Sequence, residues 1–197
     1  METIDEREIL KEALESIGLK DRYSEILERE QTIISPFLEL NSIDLSNLEL
    51  KILPPEFFWR FPHLFAINLS GNQLTSLSSE AFVKNKKLRE LFLRNNQISD
   101  LPDGLLKNAL HLQTLDLSGN ELQNLPNTFF QRTVNLRKLN LADNRLKSLP
   151  KSFFRLRNLW TLDLSGNALP ADLNKVAIDE NSVREFIKRI EEILGDH

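Results

Sequence analysis

The stretch LQTLDLSGNELQNLP, residues 112–126, places leucine at steps of three, two, five and three, with an asparagine at residue 120 that recurs in the same place. A helix would repeat its apolar residues at three and four, and a half-buried strand at two. This spacing does neither for long. The same pattern stands 24 residues downstream as LRKLNLADNRLKSLP and 24 residues upstream as LRELFLRNNQISDLP. An internal repeat is therefore the first thing the sequence establishes.

With the first leucine of each unit as position one, units begin at Leu40, Leu64, Leu88, Leu112, Leu136 and Leu159. Position four is Ile43, Ile67, Leu91, Leu115, Leu139 and Leu162. Position six is Leu45, Leu69, Leu93, Leu117, Leu141 and Leu164. Position nine is Asn72, Asn96, Asn120, Asn144 and Asn167 from the second unit on, and Leu48 replaces it in the first. Position nineteen is Phe58, Phe82, Leu106, Phe130 and Phe154.

These columns resemble the leucine-rich repeat family, over roughly residues 38–170. The 24-residue step and the phenylalanine column look like the typical class of repeat. A short chain of this kind without cysteine is similar to the repeat proteins of bacteria, spirochaetes among them, and a virulence-associated role goes with that comparison. The resemblance implies a right-handed α/β solenoid with a parallel concave sheet of about six strands, and a non-enzymatic role in binding proteins.

Elementary geometry explains the columns. In a strand over positions three to seven, residues four and six face one side and three, five and seven the other. The asparagine amide, with donors and an acceptor, can satisfy backbone groups where each coil leaves its strand. Proline at position fifteen (Pro54, Pro102, Pro126, Pro150) suits a loop turning away from the ladder. One coil buries too little to offset its own ordering entropy, so stacking and end caps are required. Residues 1–37 are expected to form a helical N-terminal cap: Ile9, Leu10, Ala13, Leu14 and Ile17 share a helical face, Gly18 marks a break, and Tyr23, Ile26 and Leu27 suggest a second helix. Residues 171–197 are expected to form a C-terminal capping helix, opened by Ser182 and Glu185 at capping-box spacing and striped by Val183, Phe186, Ile187, Ile190 and Leu194. Caps and repeats are read as one folded domain.

Composition excludes several chemistries. There is no cysteine among the 197 residues, hence no disulfide, cysteine–zinc site or thiol nucleophile. The start, METIDEREIL, has no apolar leader, and no apolar run reaches membrane length, so synthesis in the cytoplasm without membrane insertion is expected. No phosphate loop, HExxH or GxSxG motif occurs. The repeated Ser-Gly-Asn falls in register with the asparagine column and is read as structural. No cofactor and no enzymatic activity are expected. His63 and His111 share position twenty-four, two coils apart, roughly 10 Å at ~4.8 Å per coil. They cannot share one zinc ion within a chain, which leaves only a metal bridging two molecules.

The outward columns of the strands are the better candidate site. Position three is Ser42, Ala66, Glu90, Thr114, Lys138 and Thr161; position five is Asp44, Asn68, Phe92, Asp116, Asn140 and Asp163. The face is small and polar except where Glu90, Phe92 and Arg94 project together. An aromatic beside arginine at the centre of a surface is hot-spot composition. The candidate partner-binding residues are therefore Glu90, Phe92, Arg94, Asn68, Asp116, Lys138, Asn140 and Asp163. The bland alternatives are a solitary surface aromatic and an Arg94–Asp116 pair. Six strands of about five residues give roughly 400 Å², below the ~800 Å² per partner of a standard interface. The partner is thus a peptide or a loop, or the edges and caps take part. Trp160 is expected beneath the C-terminal cap, and Trp59 is read as packing.

Charge is uneven. Residues 1–50 carry 13 acidic and five basic side chains, whereas residues 132–157 carry eight basic and one acidic. The basic stretch reads as a solvated surface, with an acidic protein partner second and nucleic acid last, because aromatic stacking platforms are absent there. The opposite charge of the two ends offers a self-associating or architectural alternative, metal-bridged or not, and a monomer or weak homodimer is expected.

Overall fold

The computed structural model describes residues 5–35, 39–170, 173, 176–177 and 183–188. The solenoid is built on one eight-stranded sheet whose strands follow chain order. Six of them repeat in parallel: β2 (Leu40–Asp44), β3 (Ala66–Asn68), β4 (Glu90–Phe92), β5 (Thr114–Asp116), β6 (Lys138–Asn140) and β7 (Thr161–Asp163). Ser42 stands beside Ala66, Ala66 beside Glu90, Glu90 beside Thr114, Thr114 beside Lys138 and Lys138 beside Thr161. The sheet is therefore in register with the leucine columns. Positions one, four and six lie at 2% exposure or less in every coil and form one continuous core.

The strands are three residues long rather than the five expected, β2 excepted. Backbone pairing nevertheless continues beyond them: the Leu93 N–H donates to the Asp116 carbonyl at 2.8 Å and the Asn95 N–H to that of Ser118 at 2.8 Å. Position eight then turns left-handed, which ends strand geometry (Asn95 φ 54°, Gly119 φ 64°).

The asparagine column satisfies the backbone inside that turn. Asn120 Oδ1 accepts from the Ile98 N–H at 3.1 Å, and its Nδ2 donates to the Leu93 and Leu117 carbonyls at 2.9 and 3.0 Å. Asn96, Asn144 and Asn167 repeat the arrangement. Asn72 adds a further acceptance, from both the Leu48 and Leu50 N–H groups. Each amide thus ties two successive coils together.

On the convex side Phe58, Phe82, Leu106 and Phe130 are buried as the column implies. The fifth coil departs from it. Phe153, not Phe154, is fully buried against Phe130, with ring centroids 6.2 Å apart, and Phe154 is half-buried. This coil is one residue short, so the slot falls to the preceding phenylalanine. Asn85, buried beneath the same side, donates to the Phe58 and Phe61 carbonyls at 3.1 and 2.8 Å.

At the N-terminal end α1 (Glu6–Ser16) and α2 (Tyr23–Glu28) lie where helices were expected. Asp5 caps α1 by accepting from the Arg7 N–H. Leu10, Ala13, Leu14 and Ile26 join the solenoid core. Arg29 donates to the Asp44 and Ser46 carbonyls at 3.3 and 2.7 Å, which fastens the end of α2 to the first coil. It also pairs with Glu25, whose carboxyl is held down at about 2 by Arg22 and Arg29. Two short antiparallel strands, unforeseen from the sequence, pair with the terminal coils: β1 (Ile33–Ile34) with β2, and β8 (Val176–Ala177) with β7. They cover the edges that a parallel stack leaves open. Residues 183–188 are helical and bury Val183 and Ile187. Ser182, Ile190, Leu194 and His197 lie outside the described residues.

Glu6 is an acidic group inside this packing. It is 8% exposed and accepts from the Leu40 N–H. Burial pushes its carboxyl above the ordinary 4.5, against the opposing pull of the Leu40 bond. A carboxyl raised in the folded state leaves stability intact below pH 4.5 and lowers it as pH climbs through the folded value. Glu6→Gln, which keeps an acceptor and removes the charge, should therefore raise Tm at pH 7 and leave it unchanged at pH 4. Thermal unfolding at the two pH values checks this.

Candidate functional site

The strands' outward columns form the concave face, and each candidate residue lies on it. Glu90, Arg94 and Lys138 are exposed, and Asn68, Phe92, Asp116, Asn140 and Asp163 are half-buried. Phe92 stands between two hollows. One, of 390 Å³, is lined by Ile33, Phe65, Ala66, Asn68 and Glu90 as well as Phe92; the other, of 280 Å³, by Thr114, Asp116, Lys138, Asn140 and Asp163 beside the same ring. The first carries aliphatic and aromatic surface from β1 and the second coil. Glu30 and Gln31 add polar groups to it, and the second sets Leu115, Leu139 and Leu162 among its charged and amide groups.

Position five has a second role that its polarity alone conceals. Asp44, Asn68, Asp116, Asn140 and Asp163 each accept, through Oδ1, the N–H two residues on, at 2.9–3.0 Å. This side-chain turn satisfies the one N–H of position seven that points away from the next coil. Asp116 and Asp163 also take the Ser118 and Ser165 hydroxyls at 2.6 Å. Among the described residues no Arg94–Asp116 pair forms, because the Asp116 carboxylate is turned toward Ser118. Phe92 breaks the column: it has no oxygen to offer the Arg94 N–H. The third coil has exchanged a local hydrogen bond for an aromatic ring on the concave face.

The two tryptophans part from expectation. Trp160 is not covered: it is 44% exposed, with the Arg137 guanidinium 4.7 Å from its ring centroid. Trp59 is 38% exposed and donates its indole N–H to the Glu80 carbonyl at 2.8 Å. His63 has both ring nitrogens engaged, Nδ1 with Lys87 at 3.1 Å and Nε2 with Glu39 at 3.4 Å. His111 is exposed on a separate coil. Among the described residues no group of three or more His, Asp or Glu side chains is placed to hold a metal ion. The basic stretch does not gather into one surface: Lys138 lies on the concave face, Arg137 stacks on Trp160, Arg145 pairs with Glu121 at 3.1 Å, and Lys151 and Arg155 sit on a 3-10 turn behind. No helix of the described residues is long and apolar enough to cross a membrane.

The family model described as leucine rich repeat matches residues 38–98, 71–120 and 110–169. No curated protein sequence matches the chain. Among solved structures, the APL1 leucine-rich repeat domain superposes with a TM-score of 0.65 at 26% identity, over 68% of this chain and 35% of that one. A leucine-rich repeat protein of Leptospira interrogans gives 0.62 at 31% identity, over 71% of this chain and 36% of its own. The ectodomain of the receptor kinase SOBIR1 from Arabidopsis thaliana gives 0.64 at 23% identity over 84% and 94%, a likeness of fold alone. The chain spans about a third of the length of the first two.

Proposed function

Because the chain belongs to the leucine-rich repeat family, generally a scaffold for protein interaction, we propose that it is a non-enzymatic module that holds a peptide or protein loop on its concave face, centred on Phe92. The typical repeat class and a bacterial, spirochaete-like source go with this reading. The register of 24 residues between neighbouring strands and the 31% identity to the Leptospira protein support them.

The break at position five carries the proposal. Five coils keep an Asp or Asn whose oxygen closes the turn, and the third coil gives that bond up for a ring. A neutral bond of this kind contributes about 0.5–1.5 kcal/mol, and one to a carboxylate about 1.5–3 kcal/mol. Stability surrendered at a single position of a repeat is the mark of a function placed there. Arg94 and Glu90 flank the ring on the same strand and would set the charge of what it accepts. The face is small, so an extended segment that drops one apolar side chain into the hollow beside Phe65 and one polar group beside Lys138 fits it better than a flat protein surface.

Phe92→Asn separates structure from function. It restores the missing acceptor, so the variant should unfold at a higher denaturant concentration than the parent, by about 0.5–1.5 kcal/mol. It should also weaken binding of the partner by roughly 30-fold or more, the loss of a central aromatic hot spot. Equal binding by the two proteins, measured calorimetrically with the purified partner, would remove Phe92 from the interface.

A further inference from the structure

A second site lies off the concave face, on the rim where the chain enters its strands. Two repeat columns meet there across three successive coils. Position twenty-four contributes His111, Asn135 and Asn158, and position two contributes Gln113, Arg137 and Trp160. Together they line a hollow of 420 Å³. That volume is in the range of small-molecule sites. We propose that this hollow binds a neutral, hydroxyl-rich ligand, a saccharide of one to three units.

The chemistry of the unpaired atoms selects that class. The Asn135 Nδ2 already donates to the Leu110 carbonyl at 2.8 Å and the Asn158 Nδ2 to that of Val134 at 2.9 Å. What each of these two amides has left for a ligand is its oxygen, an acceptor, and one N–H. Arg137 supplies donors only, and its guanidinium is held over one face of Trp160. Gln113 and the His111 imidazole each offer both kinds of atom. A phosphate or carboxylate group only accepts, so it uses the arginine and the free N–H groups and leaves the two amide oxygens without a donor. A sugar hydroxyl donates and accepts, so it satisfies both sets at once. The exposed part of the Trp160 ring gives the apolar C–H face of a pyranose a flat surface.

The first coils show why the site is local. There the same columns hold His63, Lys87 and Arg89, and the His63 nitrogens are taken by Lys87 and Glu39. From Gln113 on, the columns carry amides, Arg137 and an indole, and beyond the Arg137–Trp160 stack these side chains form no bond with one another.

Trp160 and Trp59 are the two tryptophans, so a Trp59→Phe background isolates the reporter. In that background, Trp160 fluorescence should change saturably with at least one of maltotriose, cellotriose and diacetylchitobiose at up to about 50 mM. Calorimetry with that sugar should show binding weakened about tenfold or more by Gln113→Ala and by Arg137→Ala. Phe92→Ala should bind it unchanged, which keeps this site distinct from the concave face. No saturable change with any of the three sugars overturns the proposal. So does a response to inorganic phosphate or glutamate alone, or a sugar response that survives both rim variants.

Discussion

Asn120→Ala is expected to destabilise the chain by about 2–6 kcal/mol, among the largest losses from a polar side chain in the solenoid. Three buried backbone groups are bonded by this amide: the Ile98 N–H and the Leu93 and Leu117 carbonyls. The Ile98 N–H is left desolvated without a partner, at about 1–3 kcal/mol, and each carbonyl loses one of its two side-chain bonds, at about 0.5–1.5 kcal/mol. Asn96 Nδ2 also donates to the Leu93 carbonyl at 3.0 Å and Asn144 Nδ2 to that of Leu117 at 2.9 Å, so each carbonyl keeps one partner and only the Ile98 N–H is left with none. The position is also central, and a repeat array holds together through nearest-neighbour interfaces, so a failure there separates the two halves. Denaturant unfolding followed by circular dichroism gives the value. Asn120→Asp is the discriminating companion. It keeps the size and an acceptor but turns a carboxylate toward two carbonyls. It should cost at least as much as alanine at neutral pH and recover part of the loss as the pH falls and the acid becomes a donor. If aspartate is tolerated at pH 7, the donor half of the ladder contributes nothing.

The repeat columns made the solenoid legible in the sequence, since leucines at four and six and asparagine at nine recur often enough to exclude accident. Features that occur once, or that span two residues, were not legible. Ile33–Ile34 and Val176–Ala177 are too short to show a period, yet they pair along the two ends of the parallel stack. The shift from Phe154 to Phe153 follows from one missing residue, which the leucine register places in the fifth unit without saying on which side of the phenylalanine. At the candidate site, the sequence shows that position five is polar and outward, and that Phe92 is not. It does not show that Asp116 or Asn140 is already bonded to its own turn, because an Asp that binds a ligand and an Asp that closes a turn read alike until the N–H two residues on is located. Trp160 was misplaced because its burial depends on the path of a distant segment, not on its own column.

Gly119→Ala is expected to cost about 2–5 kcal/mol, from two separable causes that a double mutant can apportion. Position eight is left-handed in every coil, and its residues alternate: Asn47, Gly71, Asn95, Gly119, Asp143, Gly166. The alternation has a steric reason. A Cβ built on Gly119 would stand 2.3 Å from Asn95 Oδ1, one built on Gly71 2.1 Å from Asn47 Oδ1, and one built on Gly166 2.3 Å from Asp143 Oδ1. The side chain of one coil fills the space that the next leaves empty, so the true period along this edge is two coils. Alanine at 119 therefore meets a left-handed backbone, about 1–2 kcal/mol, and an overlap with Asn95 of the kind that costs about 1–3 kcal/mol. In an Asn95→Gly background the overlap disappears and only the backbone part remains. The cycle of Gly119→Ala, Asn95→Gly and the double variant should show favourable coupling of about 1–3 kcal/mol. Additive losses would mean that Asn95 swings aside freely, and the two-coil pairing would then be a consequence of composition rather than a contact that the stack maintains.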